Sequence, residues 1–555
     1  MLRILREQVR QARLAFSAVF GNPNLRRVEL SWAGTVCAYW IFIVTLGLYA
    51  YQRGGAGAVG LVGLLRVLPS VVAAPFGAVL GDRYPRERVI VVVNLARSVT
   101  IATAAAAAFL DAPAGIVYAL ASVMGLLQSI FRPTQAALLP LLARTPQELT
   151  ASNLVLTTIE SVGLFVGPAI GGLLLAVTGT DTVFAATAGV FLLAALLLVR
   201  VSVGRAPQAS APRRSFVRDA FAGFGTVAHD AKLRLLIGLY GTQTLVAGAL
   251  NVLIVVMALE TLDLGNAGIG FLNSAWGVGG LLGGVAAIGL VAGTRLGSAF
   301  GAGLALAGLP VLGIALVPRT VPALVFLALA GIGTTIVDVA GLTLLQRSVP
   351  DEVLTRVMGV VQSVFVGTLG LGAVIAPGLL DLFGDRWTLV AVGALLPVVA
   401  ALAWPRLRRL DVETATAPPN AELLRAIAIF RPLPSAVVEQ LAHEARTQHV
   451  GAGEKVIRQG DAGDRFYVLV DGEAEVQIDG RHRQTLHAGD HFGEIALLRD
   501  VPRTATVVAL GDLELLTIER DDFLAAVTGH PESAHAAEAV VAARFGSLRP
   551  SVASI

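Results

Sequence analysis

One cysteine and two lysines stand among 555 residues. With Cys37 as the sole cysteine, an intrachain disulfide and a multi-cysteine metal site are both excluded, and its place inside an apolar run marks it as a small packing residue. Because Lys232 and Lys455 are the only lysines, arginine carries nearly all the positive charge. Charged residues of either sign make up only 15% of the chain against 55% hydrophobic residues, and the mean hydropathy is +0.73. That balance excludes a soluble multidomain protein of ordinary composition and predicts that the bulk lies in a membrane. The scarcity of charge holds from about Val28 to Trp404 and ends near Arg406, so the tail reads as a separate, water-soluble unit.

Other features are missing as well. The net charge of +3 does not predict a nucleic-acid partner, because the arginines fall in short loops between apolar runs, where orientation in the bilayer accounts for them. Arg3, Arg6, Arg10 and Arg13 crowd the N-terminus, but no short apolar run with a small-residue cleavage site follows, so no cleaved signal peptide is expected. There is no Walker lysine motif, which argues against a primary ATP pump. Neither catalytic activity nor a metal site is expected.

Crossing the hydrocarbon core takes about 20 apolar residues. Twelve stretches qualify: 28–50, 57–80, 89–110, 114–140, 152–177, 183–201, 233–259, 267–291, 297–317, 321–346, 356–380 and 387–405. Loops on one side carry arginines such as Arg26, Arg83, Arg86, Arg88, Arg144, Arg214, Arg295 and Arg347, whereas the other side carries Arg53, Arg319 and Arg386. By the positive-inside rule both termini are cytoplasmic, in a multi-pass protein of the inner, cytoplasmic membrane. The halves echo each other: Val9-Arg10, Phe16, Val19 and Leu25-Arg26 recur 208 positions later (217 minus 9) as Val217-Arg218, Phe224, Val227 and Leu233-Arg234. A parallel repeat of two six-helix halves follows. The expected organisation is a basic segment 1–27, a first half 28–201, a cytoplasmic link 202–232, a second half 233–408, a linker 409–420, a folded tail domain 421–546 and a terminal stretch 547–555. Thr145-Pro-Gln-Glu148 predicts a capping box with proline at the first helical position of the fifth span.

Two motifs sharpen the membrane part. Ala78-Val-Leu-Gly-Asp82-Arg83-Tyr-Pro-Arg86-Glu-Arg88, between the second and third spans, is similar to the G-x-L-A-D-R-x-G-R-R signature of the major facilitator superfamily, with Ala78 for the first glycine and Pro85 for the second. In that family the acid and its arginines form an inner-gate cluster, a role the resemblance gives to Asp82, Arg83 and Arg86. Gly163-Leu-Phe-Val-Gly167-Pro168-Ala-Ile-Gly171-Gly172 on the fifth span resembles the antiporter motif G-x-x-x-G-P-x-x-G-G of exporters. Its glycines fall on one helix face and permit close backbone approach, and Pro168 frees the carbonyl of Leu164. Phe131-Arg-Pro-Thr-Gln135, followed by Leu138-Leu-Pro140, looks like the branch of the family that contains the enterobactin exporter and macrolide efflux proteins.

Ionisable groups inside a membrane are costly and face the protein interior. Arg66 lies near mid-depth of the second span; Arg97, Arg132, Glu160 and Asp338 lie about 12 Å deep at 1.5 Å per residue. In one reading Glu160 takes up and releases a coupling proton while Arg66 lines the central cavity. In the other, Arg97, Arg132 and Glu160 form a permanent buried ion network. Asp338 reads as structural.

The tail carries Phe492-Gly-Glu-Ile-Ala-Leu-Leu-Arg-Asp-Val-Pro-Arg-Thr-Ala-Thr506, behind alternating apolar runs such as Phe466–Val470 and Ala474–Ile478 joined by Asp-Gly turns. This stretch resembles the phosphate-binding cassette of cyclic-nucleotide-binding domains, and the likeness extends over about residues 420–545, a soluble α+β β-roll. A cyclic phosphate needs a positive partner and backbone donors; Arg503 offers a planar fork, and a short helix at Ile495–Leu498 offers N–H groups. The resemblance gives Glu494 to the ribose 2′-hydroxyl, and Gly493 permits close approach. Phe492, Ile495, Ala496, Thr504 and Ala505 complete the cassette. Thr504 suits either cAMP or cGMP; cAMP is preferred as the commoner bacterial messenger. Residues about 533–546 read as a helical lid with Phe545 over the base.

These readings predict an α-helical membrane protein of twelve helices followed by a β-roll domain. Its function is expected to be secondary transport, as a proton-coupled exporter of a small amphipathic solute regulated by the cyclic nucleotide. The alternatives are a lysophospholipid flippase and a sensor that does not transport. A gated channel fits the tail but not the membrane part, which has no Thr-Val-Gly-Tyr-Gly filter.

Overall fold

The computed structural model describes residues 19–201, 225, 227–228, 230–291, 295–349, 351–415, 420–433, 435–529 and 531–548. It divides into two compact units, Met1–Asp411 and Val412–Ile555.

In the first unit the helices are α1 (Pro23–Arg83), α2 (Arg86–Phe109), α3 (Ala114–Leu142), α4 (Pro146–Val177), α5 (Thr180–Val199), α6 (Ala231–Val256), α7 (Gly265–Val291), α8 (Leu296–Leu316), α9 (Thr320–Ser348) and α10 (Asp351–Ala415). Ten helices among the described residues are long and apolar enough to cross a membrane. Helix α1 has 61 residues and α10 has 65; at 1.5 Å per residue each would reach about 90 Å, against a hydrocarbon core of about 30 Å. Both are broken at glycine. Gly54 (φ −168°, ψ 30°) and Gly55 (φ 61°, ψ −158°) interrupt α1, and Gly384 (φ 71°, ψ 174°) interrupts α10. Positive φ is cheap only without a Cβ, so Gly55 and Gly384 mark where the chain turns. The breaks coincide with the gaps between the stretches 28–50 and 57–80 and between 356–380 and 387–405.

Local chemistry sets the other ends. Thr145 Oγ1 accepts from Glu148 N at 3.1 Å, as a capping box requires. The Glu148 carboxylate reaches one residue further back than the motif specifies: Oε2 accepts from Arg144 N at 2.9 Å and from Asn22 Nδ2 at 3.1 Å, tying α4 to the chain entering α1. Asp230 caps α6 by accepting from Lys232 N at 2.7 Å and Leu233 N at 3.2 Å. Helix α6 then widens into a π turn, Met257–Thr261.

The last membrane helix continues to Ala415, into the stretch read as linker. The reason is Asp411, 8% exposed. Its carboxylate accepts from Gly297 N at 2.6 Å, from Ser298 N at 2.9 Å and from Ser298 Oγ, so it caps α8 from another helix and holds α10 in place at that point. The link 202–232 lies outside the described residues over 202–224, and so do 1–18 and 549–555.

The second unit opens with α11 (Asn420–Ala426) and α12 (Ser435–Glu444). Eight strands follow: β1 (Arg446–Val450), β2 (Lys455–Ile457), β3 (Arg465–Asp471), β4 (Ala474–Ile478), β5 (Arg481–Leu486), β6 (His491–Phe492), β7 (Thr506–Ala509) and β8 (Leu513–Glu519). They form two antiparallel four-stranded sheets, ordered β1-β8-β3-β6 and β2-β7-β4-β5. Asp479 (φ 51°) and Gly480 (φ 74°) both take positive φ between β4 and β5, the geometry of a type I′ hairpin turn. Helix α13 (Glu494–Arg499) lies between β6 and β7, and α14 (Arg520–Thr528) and α15 (Pro531–Leu548) close the chain. An aromatic cluster packs the helices on the roll: Phe466 lies 4.7 Å from Phe523 and 5.4 Å from Phe430 between ring centroids. Ser533 Oγ donates to Ile429 O at 2.7 Å, fastening α15 to the helical lead-in.

Candidate nucleotide pocket and transport path

Gly493 is the hinge of the tail's pocket. It adopts φ 95° between β6 and α13, and a Cβ there would lie 2.8 Å from Arg503 Nη1 and 2.9 Å from Arg465 O, so both backbone conformation and space demand glycine. Its carbonyl accepts from Arg503 Nη1 at 3.2 Å. Arg503 Nη2 donates to Arg465 O at 2.9 Å and to Asp464 Oδ1 at 3.1 Å, and the guanidinium sits 5.6 Å from the Tyr467 ring centroid. Arg503 is 3% exposed. A buried guanidinium fixed by two carbonyls, a carboxylate and an aromatic face is a preorganised anion partner. Tyr467 itself stacks on Phe492 at 4.9 Å, and burial pushes its phenol pKa up.

Glu494 follows Gly493 and is fully buried. Its Oε1 accepts from Arg544 Nη1 of α15 at 2.6 Å, and Arg544 Nη2 also donates to His491 O at 2.9 Å. Its Oε2 has no hydrogen-bond partner. Burial raises the Glu494 pKa, opposed chiefly by the Arg544 charge. Burial and then Arg544 lower His491, to about 4. Glu494 thus has one carboxylate oxygen pinned by a cation and one buried without a partner.

Ile495, Ala496 and Phe492 are buried and fill the wall around these two groups, while Thr504 and Ala505 follow Arg503 half-buried. The cassette helix runs Glu494–Arg499, slightly longer at both ends than the sequence predicts. Sequence reasoning missed three participants. Asp464 and Gly463, whose Cβ would lie 2.6 Å from Ala496 Cβ, sit in the Gly-Asp-Ala-Gly-Asp run at 460–464. Arg544 is the only arginine or lysine in α15. The side chain of Phe545, read as the lid over the base, lies outside the described residues.

In the membrane unit, Arg66 Nη1 donates to Tyr39 Oη at 2.7 Å, within α1 across its break. Arg132 Nη2 bonds Glu160 Oε1 at 2.6 Å, joining α3 to α4. Arg97 does not join that pair, so the single network of three is not formed. It is fully buried, donates to Gln128 Oε1 and Leu127 O, and lies 4.4 Å from the Phe131 ring and 5.7 Å from the Phe191 ring, which supply the contact that a carboxylate would otherwise give. Asp338 accepts a hydrogen bond from Tyr240, linking α9 to α6. The glycines of α4 face α1: a Cβ on Gly167 would lie 2.6 Å from Trp40 Cβ, and one on Gly171 would lie 3.3 Å from Ile41 Cα, while Gly163 meets Val36. Gly172 meets Gly270 of α7, and Pro168 lies inside the helix beside that contact. Arg86 Nη1 donates to Ala137 O at 2.8 Å. The side chains of Asp82 and Arg83 lie outside the described residues.

The model of the Major Facilitator Superfamily matches residues 30–365. The chain belongs to that superfamily, and is a multi-pass membrane protein with a transporter domain. The model of the cyclic nucleotide-binding domain matches residues 447–530, so such a domain is fused behind the transporter. The cAMP-dependent protein kinase regulatory subunit of Yarrowia lipolytica is 43% identical over 102 residues, covering 18% of this chain and 27% of its own. The cGMP-dependent protein kinase of Plasmodium berghei is 33% identical over 119 residues, covering 21% of this chain and 14% of its own. The chain thus spans less than a third of the length of either relative. The solved regulatory domain of Toxoplasma gondii PKA with cAMP is 25% identical over 24% of this chain and 52% of its own, with a TM-score of 0.21.

Proposed function

We propose that the chain is a secondary transporter, a proton-coupled exporter of a small amphipathic solute, whose activity is biased by cAMP or cGMP bound to the tail. The observation that carries the regulatory half is the pairing of a buried, fork-shaped Arg503 with a buried Glu494 that keeps one free carboxylate oxygen. Arg503 meets the cyclic phosphate, and Glu494 Oε2 accepts from the ribose 2′-hydroxyl. The similarity to a cAMP-dependent protein kinase regulatory subunit and to a cGMP-dependent protein kinase supports the ligand class.

The export half rests on the glycine face of α4, the face that resembles the antiporter motif and the efflux branch of the superfamily, packed against α1. The two broken helices each cross twice in this reading, giving twelve crossings, and the arginine-rich loops put both termini in the cytoplasm by the positive-inside rule. In this reading Arg66 and the Arg132–Glu160 pair belong to the transport path, Asp82, Arg83 and Arg86 to the inner gate, and the chain performs no catalysis. Regulation requires the nucleotide to favour one tail conformation that acts differently on the transporter. A tenfold change in the gate equilibrium takes about 1.4 kcal/mol.

The test is efflux from proteoliposomes under a pH gradient, with and without cAMP and cGMP, in wild type and Arg503→Ala. Wild-type efflux responds to nucleotide and the variant's does not; a response that survives in Arg503→Ala overturns the proposal.

A further inference from the structure

Glu29 is fully buried in α1, inside one of the segments long and apolar enough to cross a membrane. It shares the buried face of that helix with Leu25, Val28, Trp32 and Val36. Ser152 Oγ of α4 donates to Glu29 Oε1 at 2.6 Å, and Oε2 has no hydrogen-bond partner. Charged groups on the surrounding elements are engaged elsewhere. Arg27 donates to Arg200 O, Glu148 binds Asn22 and Arg144 N, and Arg86 donates to Ala137 O. Arg132 pairs with Glu160, and Arg97 bonds Gln128; Arg26 is exposed. Among the described residues no cation is paired with Glu29. An ionised carboxylate without a cation in such a place is far costlier than the neutral acid.

Arg97 presents the complementary case. It is a buried guanidinium whose Nε and Nη1 have no partner. Phe131, the ring nearest its guanidinium, stacks on Trp32 at 5.7 Å, and Trp32 is one helical turn from Glu29. A carboxyl lacking a cation and a cation lacking a carboxylate therefore occupy the same N-terminal core, with an aromatic stack between them.

We propose that Glu29 is the group that carries the coupling proton: it holds the proton in this conformation and releases it to water when α1 and α4 separate, the Arg97 charge then stabilising the carboxylate. This rests on the proton-coupled reading of the transporter and moves the proton from Glu160, which has an arginine at 2.6 Å, to Glu29, which has none. No bond other than O–H breaks, and the proton passes to water.

Two measurements on the full chain test it. The infrared spectrum at neutral pH contains a protonated-carboxyl C=O band that disappears in Glu29→Gln and shifts in frequency in Ser152→Ala, which removes only the hydroxyl and serves if Glu29→Gln does not fold. With ethidium as the probe in proteoliposomes, acceleration by a pH gradient is lost in Glu29→Gln and kept in Gly189→Ala, whose site is open, while gradient-independent ethidium exchange survives in both. An unchanged band in both Glu29→Gln and Ser152→Ala, or gradient-driven efflux that survives Glu29→Gln, overturns the assignment. A wild type insensitive to the pH gradient sinks the proton-coupled reading instead, and the infrared band still reports whether Glu29 is protonated.

Discussion

Arg544 of the last helix donates from Nη1 to Oε1 of the buried Glu494 at 2.6 Å, across 50 residues of sequence. The cassette is thereby fastened to α15, and Glu494, which burial disfavours as an anion, depends on Arg544 for its charge. Removing Arg544 leaves a buried carboxylate without its cation, which costs about 3 kcal/mol, the lower end of the usual range because Arg544 is partly exposed. A double-mutant cycle of Glu494→Gln and Arg544→Gln, read by urea unfolding of residues 412–555, is expected to give a coupling of at least about 1 kcal/mol. Additive losses would show that the two side chains act independently.

The same pocket sets a pH dependence. His491 is lowered from 6.5 to about 4, so its contribution to stability is fully present above pH 6.5 and is lost as the pH falls through 4. The loss is at most about 3 kcal/mol. Glu494 is raised from 4.5, so its contribution is present below that value and is lost as the pH rises through the raised one. Unfolding of the tail measured at stepped pH should therefore show wild type losing stability relative to His491→Gln as the pH falls from 6.5 towards 4.

Asp411 takes two backbone N–H groups and a hydroxyl at the start of α8. Asp411→Ala should lower the stability of the membrane unit by about 1–2 kcal/mol, as loss of a helix cap does, with Asp411→Asn intermediate. Thermal unfolding in detergent reads the difference.

Gly167→Ala sets a Cβ 2.6 Å from Trp40 Cβ and 3.1 Å from Cys37 O. Helices α1 and α4 must move apart, at a cost of about 1–3 kcal/mol. The thermal midpoint should fall, whereas alanine at the open Gly189 should leave it unchanged.

Much of this was legible in the sequence because it is local. Apolar run length set the helices, the gaps at 51–56 and 381–386 contain the glycines that break α1 and α10, and Gly493, Glu494 and Arg503 stand in one short stretch. What escaped is non-local. Arg544 pairs 50 residues upstream, and its one signal was an isolated arginine on a helix of small residues. Glu29, the second residue of the stretch 28–50, was not singled out, because nothing in a linear pattern shows that Ser152, 123 residues on, packs over it. Arg97 carried the reverse lesson: charge alone suggested an ion network, whereas its neighbours are Gln128 and two phenylalanine rings.

The most direct test of nucleotide sensing is calorimetric titration of residues 412–555, a unit with its own packed core, with cAMP and with cGMP. Saturable binding of at least one nucleotide by wild type, and its loss in Arg503→Ala, is the predicted result. Absence of binding of both nucleotides by folded wild type, or wild-type affinity in Arg503→Ala, would contradict the account.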